Sequence, residues 1–226
     1  MTFHGIGEPH SWCKPEEMPF WLGTQQFEDL LQKLVESCAS VNKELVITFD
    51  DGNVSDLTLA APILKNHGLT ATFFVCRNFT EKAGYLTFEQ MRNLQDLGMS
   101  IGSHGQNHVD WRHCSTADLH AEIHGAYAEL NQNLNHKINA LAIPFGSYDR
   151  RVISSLKKSD AKFIFSSDQD TPSVRDLLTP RFTITRDWND EKIKRNLAID
   201  SKVLPVLKRK LIQFAKRQRN SPSGRL

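Results

Sequence analysis

A chain of 226 residues, 39% hydrophobic and 24% charged, is long enough to bury one sizeable core and too apolar to remain disordered. No apolar run approaches the roughly 20 residues of a membrane-spanning helix. Four cysteines (Cys13, Cys38, Cys76 and Cys114) without a C-x-x-C pair exclude a disulfide scaffold and read as reduced thiols. The net charge of +2 conceals an asymmetry: Lys208 to Leu226 holds seven Lys/Arg and no Asp/Glu, leaving 21 basic against 26 acidic residues and a body of about −5. No recognition motif accompanies that basic tail, so nucleic acid is not an expected partner. Met1–Gly5 lacks the basic and apolar regions of a secretion signal, and with Met1 as the start the expectation is a cytoplasmic protein.

In chain order, Met1 to Ile6 reads as a first strand and Glu8 to Gly23, with three prolines, as a loop. Phe27, Leu30, Leu31, Leu34 and Val35 recur at helical spacing, with Thr24 as N-cap. Leu45 to Phe49 is a strand that buries Val46, Ile47 and Phe49; Leu57 to Asn66 is a helix stopped by His67-Gly68. Thr70 to Val75 is a buried strand, Thr87 caps a helix through Leu97, and Met99 to Gly102 is a strand. Ser115, with Asp118 at the capping-box position, opens a helix to about Leu134. Strand Ala140 to Ile143, helix Val152 to Lys158 and strands Lys162 to Phe165 and Phe182 to Thr185 follow. Asp190 to about Ala215 is helical with a break at Pro205. Strand and helix alternate, which predicts a parallel α/β domain, either a barrel or an open sheet, with its site at the C-terminal ends of the strands.

Three polar segments fall at such ends: Asp50-Asp51-Gly52, Ser103-His104-Gly105-Gln106-Asn107-His108 and Pro144-Phe145-Gly146. Adjacent carboxylates cannot be buried unpaired, because each would cost several kcal/mol. His104 and His108, four residues apart, join a carboxylate in a His₂Asp set suited to Zn²⁺ and to other first-row ions such as Co²⁺ or Ni²⁺. His120 and His124 share that spacing but sit mid-helix and read as a solvated face.

Thr48-Phe49-Asp50-Asp51-Gly52 together with Ser103-His104-x-x-x-His108 resembles the polysaccharide deacetylase family, also called the NodB-homology domain or carbohydrate esterase family four. Ala142-Ile143-Pro144-Phe145-Gly146 resembles the family's third motif, a groove wall. The resemblance runs from Phe3 to about Thr185 and implies an incomplete (β/α)7 barrel that hydrolyses an N-acetyl group on a sugar with a divalent metal. It implies that Asp51, His104 and His108 hold the metal, that Asp50 is the general base, and that the Phe145 N–H shares the oxyanion charge.

The chain departs from the family pattern twice. No histidine follows His136, so the usual C-terminal Leu-x-His acid is missing. His4, in Phe3-His4-Gly5-Ile6, resembles the N-terminal histidine of permuted members such as poly-N-acetylglucosamine deacetylases, which implies His4 as the general acid. Ala142 stands where an arginine usually pairs with the base; Arg181 is either its replacement or a surface arginine. Asp187 is the candidate for the acid that tunes this network, and Trp111 and Tyr148 are either sugar contacts beside Pro144, Phe145 and Gly146 or simple packing residues.

The resulting expectation is a single catalytic domain over residues 1–215 with a basic flexible tail over 216–226, acting on an acetylated amino sugar. The alternatives are a deformylase or amidase on a lipid-linked or nucleotide sugar, and a non-catalytic carbohydrate-binding relic. Leu204, Leu207, Leu211 and Phe214 read as the buried stripe of a helix with a solvated basic face. A sharper reading makes that helix a peripheral contact with anionic lipid or a lipid-linked sugar.

Overall fold

The computed structural model describes residues 1–170, 177–197 and 203–219, with backbone alone for 203–209. Seven short parallel strands follow one another around one sheet in chain order. They are β1 (Thr2–Phe3), β2 (Thr48–Phe49), β3 (Thr72–Val75), β4 (Ser100–Ser103), β5 (Ala140–Ala142), β6 (Phe163–Ser166) and β7 (Thr179–Pro180). The expected last strand, Phe182 to Thr185, is not one. There the chain makes a single parallel bridge, Thr2 to Thr183, in which Thr2 N–H donates to Phe182 O at 2.8 Å and Ile184 N–H to Thr2 O at 2.9 Å. One bridge in place of a full ladder leaves an incomplete (β/α)7 barrel.

Side chains alternate across each strand, and here the two faces carry different chemistry. Outward-facing Phe3, Phe49 and Phe73 stack in a row, with centroids 5.3 and 4.9 Å apart, and Phe27 of helix α1 (Thr24–Ser40) caps the row edge-on. Each fully buried phenyl contributes roughly 1.5–3 kcal/mol relative to exposure. Inside the barrel, Phe74, Ala140, Ala142 and Phe165 form a separate small core. Gly102 makes this packing feasible: a Cβ there would lie 2.4 Å from the Phe74 ring.

The other described α-helices are α2 (Ala61–Asn66), α3 (Phe88–Asp96), α4 (Thr116–His120), α5 (Ala126–Asn133), α6 (Arg150–Leu156), α7 (Asp190–Leu197) and α8 (Val203–Gln218). Thr87 closes the expected cap of α3 reciprocally with Gln90. Thr24 does not cap α1: Gly23 takes that place and Thr24 is already helical. Ser115 caps α4 through the Asp118 N–H, but the Asp118 side chain bonds the Ser115 hydroxyl, not its backbone. The expected helices from Leu57 and from Ser115 both contain wide π turns, Asp56–Ala60 and Ala121–Gly125. Strand β2 is shorter than expected and Val46 is exposed, because pairing begins only at Thr48.

The C-terminal helix reverses its expected orientation. Leu211 and Phe214 are 60% and 62% exposed, whereas Gln213 is buried against Asp170. Side chains of Leu204 and Leu207 lie outside the described residues. Pro205 does not break α8; it sits in the first turn, where no intrahelical N–H is needed. The helix continues past residue 215. Lys216 Nζ reaches Gly146 O at 3.2 Å and Asp168 at 2.6 Å, and Arg219 Nε reaches Tyr148 O at 2.9 Å. A polar face therefore straps α8 over the turn after β5. No described helix is long and apolar enough to cross a membrane.

Candidate active site

The C-terminal ends of β2 and β4 bring Asp50, Asp51, His104 and His108 together. His104 extends the β4 ladder, donating its backbone N–H to Val75 O. Its ring is fully enclosed, with Nδ1 3.0 Å from Ala142 O. A carbonyl only accepts, so Nδ1 carries the proton and the Nε2 lone pair points outward. That nitrogen lies 3.8 Å from Asp51 Oδ1, and His108 Nε2 lies 3.4 Å from the same oxygen. One donor atom from each of Asp51, His104 and His108 fits within 4.8 Å of the others. Burial, outweighing the neighbouring carboxylates, pulls His104 down to about 4, so the imidazole is neutral at pH 7.

Asp51 Oδ1 is buried and has no hydrogen-bond partner. A carboxylate oxygen left so beside two imidazole nitrogens is what a His₂Asp ion site requires, and the donor set suits a divalent first-row metal. Backbone strain concentrates at the same place. Among the described residues six non-glycines have positive φ, and three are Asp51 (80°), His108 (54°) and Phe145 (56°). Such conformations cost about 1–3 kcal/mol each and persist where the surroundings hold them.

Behind this cluster Asp50 and Arg181 form a buried bidentate pair, Nη1 to Oδ1 at 2.7 Å and Nη2 to Oδ2 at 2.8 Å. Thr2 and Thr48 hydroxyls accept from the same Nη1, and the guanidinium lies 5.3 and 5.6 Å from the Phe74 and Phe165 ring centroids. Arg181 is thus an interior residue, and it supplies the guanidinium that Ala142 cannot. Burial raises the Asp50 pKa, but Arg181 outweighs it, aided by His104 and His4, and holds the carboxyl well below the ordinary range.

His4 follows β1, beside the strand carrying Asp50, whose N–H donates to Phe3 O at 3.0 Å. Its ring packs against Phe20 at 4.9 Å, and Nδ1 is buried without a partner. Phe145 is 64% exposed and its ring lies 4.5 Å from that of His108, so it forms a wall of the site; Pro144 and Gly146 are buried beneath it.

Trp111 and Tyr148, expected to meet sugar, do not reach the surface. Both are fully buried: Trp111 Nε1 donates to Glu122 at 3.3 Å and the Tyr148 hydroxyl to Asp168 at 2.8 Å. Asp187 lies exposed, paired with Lys192, and does not join the Asp50 network. The His120 and His124 rings lie 4.8 Å apart and tilted by 34°, with His124 against Ser155. A cavity of about 380 Å³ is lined by Met1, Val46, Phe165, Thr179 and Arg181 among others, and by none of Asp51, His104 and His108.

Glu122 is the residue the sequence hid. Set in the second π turn, its buried carboxylate accepts from the backbone N–H of Gln106 (2.9 Å) and Asn107 (3.1 Å), from Asn107 Nδ2 (2.8 Å) and from Trp111. It thereby holds the loop between the two histidines. Glu122→Ala strands those donors and is expected to destabilise the fold by about 3 kcal/mol. Urea unfolding measures the loss, and hydrogen exchange should show deprotected Gln106 and Asn107 amides. Unchanged protection would mean that the loop is held by other contacts.

The family model described as polysaccharide deacetylase matches residues 39–164. YxkH of Bacillus subtilis, whose name refers to the same family, is 24% identical over 168 residues, 70% of this chain and 60% of YxkH. The peptidoglycan-N-acetylglucosamine deacetylase PgdA of Listeria monocytogenes is 27% identical over 120 residues, 52% of this chain and 25% of PgdA. This chain therefore spans less than two thirds of the length of either relative. The Streptococcus pyogenes deacetylase PplD, solved in complex with acetate, shares the fold at a TM-score of 0.73 and 24% identity, over 87% of this chain and 96% of PplD. With the family model matched across more than half of its length, and the motif residues gathered at one rim, the chain belongs to the polysaccharide deacetylase family.

Proposed function

We propose that the protein is a metal-dependent hydrolase that removes N-acetyl groups from an amino sugar in a polysaccharide, an oligosaccharide or its precursor. The names of PgdA and PplD support deacetylation as the chemistry. The observation that carries the reading is the unpartnered Asp51 Oδ1 facing His104 and His108, next to the Asp50–Arg181 pair.

Asp51, His104 and His108 would hold the ion, with Zn²⁺ the expected occupant and Co²⁺ or Ni²⁺ as substitutes. When bound, the ion supplies Lewis acidity toward the acetyl carbonyl and toward water. Asp50, kept ionised by Arg181, takes the proton from the attacking water. The Phe145 N–H faces the charge that develops on the carbonyl oxygen. His4 delivers a proton to the departing amine, so water and amide give acetate and a free amino sugar.

The test is acetate release from N-acetylglucosamine oligomers, abolished by chelation and restored by Zn²⁺, Co²⁺ or Ni²⁺. Formate release from an N-formyl substrate in place of acetate would make it a deformylase. Sugar binding without release of either acid would make it a relic, and turnover that survives thorough chelation would remove the metal from the scheme.

A further inference from the structure

Helix α8 is amphipathic in the opposite sense to a helix that packs on a core. Such a helix ordinarily turns its apolar stripe inward and its polar side to water. In α8 the polar side faces the barrel: Gln213 Nε2 lies 3.3 Å from Asp170 Oδ2, and Lys216 Nζ reaches Asp168 Oδ1 and Gly146 O. Arg219, just past the helix, adds a bond to Tyr148 O. Leu211, Ile212 and Phe214 are left outside, 60%, 48% and 62% exposed, and belong to neither hydrophobic cluster of the protein. These side chains are one to four residues apart on one helix, so they present a single apolar ridge.

Charge indicates what covers the ridge. Helix α8 carries five Lys/Arg and no Asp/Glu, and Lys208-Arg209-Lys210 directly precede Leu211 in the chain. The rest of the protein is acidic, at about −5 outside Lys208 to Leu226. An anionic surface therefore attracts this helix and repels the body, which fixes the orientation of approach. Three side chains fall well short of the roughly 800 Å² per partner that a stable protein interface buries. A helix lying in a lipid interface needs less: an apolar face sunk about 5–10 Å among the headgroups, with cations beside it.

We propose that α8 is an interfacial helix that docks the protein on an anionic bilayer, with Leu211, Ile212 and Phe214 inserted and the basic side chains at the headgroups. The polar bonds to Asp168, Gly146 and Tyr148 hold the helix to the barrel, so the docked helix carries the whole domain with it. Gly146 directly follows Phe145, so the docked surface adjoins the turn that walls the candidate site. The proposal is independent of the reaction assigned above.

The experiment is flotation of the full chain with vesicles of phosphatidylcholine alone or with about 30% phosphatidylglycerol, at low and at high salt. Wild type is expected to float with the anionic vesicles at low salt, to dissociate as salt rises, and to ignore the neutral ones. Leu211→Ala/Phe214→Ala keeps good helix formers at exposed positions, so its melting temperature should hold while its partition falls at least about tenfold. Lys208→Gln/Arg209→Gln should lose about thirtyfold on the anionic vesicles. Phe214→Trp, which keeps an interface-seeking ring, should bind at least as well as wild type, a readout that does not depend on the alanine variant folding. No flotation with anionic vesicles at low salt, equal flotation with neutral ones, or undiminished binding by either double variant overturns the proposal. Light scattering that shows a dimer in wild type and a monomer in Leu211→Ala/Phe214→Ala also overturns it, since the ridge would then be covered by a second copy of the chain.

Discussion

Arg181→Met is expected to destabilise the protein by about 3–5 kcal/mol, because it leaves the Asp50 carboxylate buried without its counter-charge. For a chain of this size that lowers the melting temperature by roughly 10 °C. Arg181→Lys should not restore it, since a single ammonium cannot make both bonds to Asp50 while also serving Thr2 and Thr48. The double variant Asp50→Leu/Arg181→Met should regain much of the stability and no activity, because an apolar pair avoids the desolvation cost. The pH profile moves in a stated direction. In the wild type Asp50 titrates below the ordinary carboxylate range, so it remains ionised throughout the working range; its contribution to stability is complete above the ordinary carboxylate pKa and is lost progressively as pH falls from there to the lower folded value. Without Arg181, burial is opposed only by the weaker pull of His104 and His4 and moves the Asp50 pKa upward, so the acid limb of the rate profile shifts upward. An unmoved acid limb together with an unchanged melting temperature would show that the pair has neither role.

The adjacent aspartates should separate cleanly under substitution. Asp51→Asn is expected to release the metal and with it all turnover, because one of the three proposed ligands loses its charge. Asp50→Asn should retain the metal and lose roughly 10²- to 10⁴-fold in kcat, the range for removing a general base. Metal content by elemental analysis, read beside kcat, distinguishes the two. In the same series His4→Ala should slow amide hydrolysis far more than hydrolysis of an activated acetyl ester, whose leaving group needs no proton. Metal lost from Asp50→Asn and kept by Asp51→Asn would exchange the two roles.

Motifs of short span were legible in the amino-acid order. Asp50-Asp51-Gly52 and His104-x-x-x-His108 each lie within one turn of chain at the end of a strand, and local backbone geometry alone aims their side chains at the rim. The alternation of strands and helices was equally readable, since periodicity records which face of each element is covered. Burial of the remaining aromatic residues was not. Trp111 and Tyr148 follow motif residues closely, yet Glu122 draws one inward and Asp168 the other. Nothing in an aromatic residue's identity states which side of a turn it will occupy.

Partnerships across the barrel had no local signature at all. Arg181 and Asp50 lie 131 positions apart and meet because both point into the same interior. Glu122 resembles any helical glutamate until a wide turn directs it beneath the histidine loop, and α8 presents its polar face to the barrel because Asp168, Asp170 and two backbone carbonyls await it there. The proposed ligands Asp51, His104 and His108 were therefore written in two short stretches of the chain. The charge that keeps Asp50 ionised and the carboxylate that steadies the loop between His104 and His108 came from ring closure, which brings distant residues within a few ångströms and makes an unpaired charge there too costly to leave.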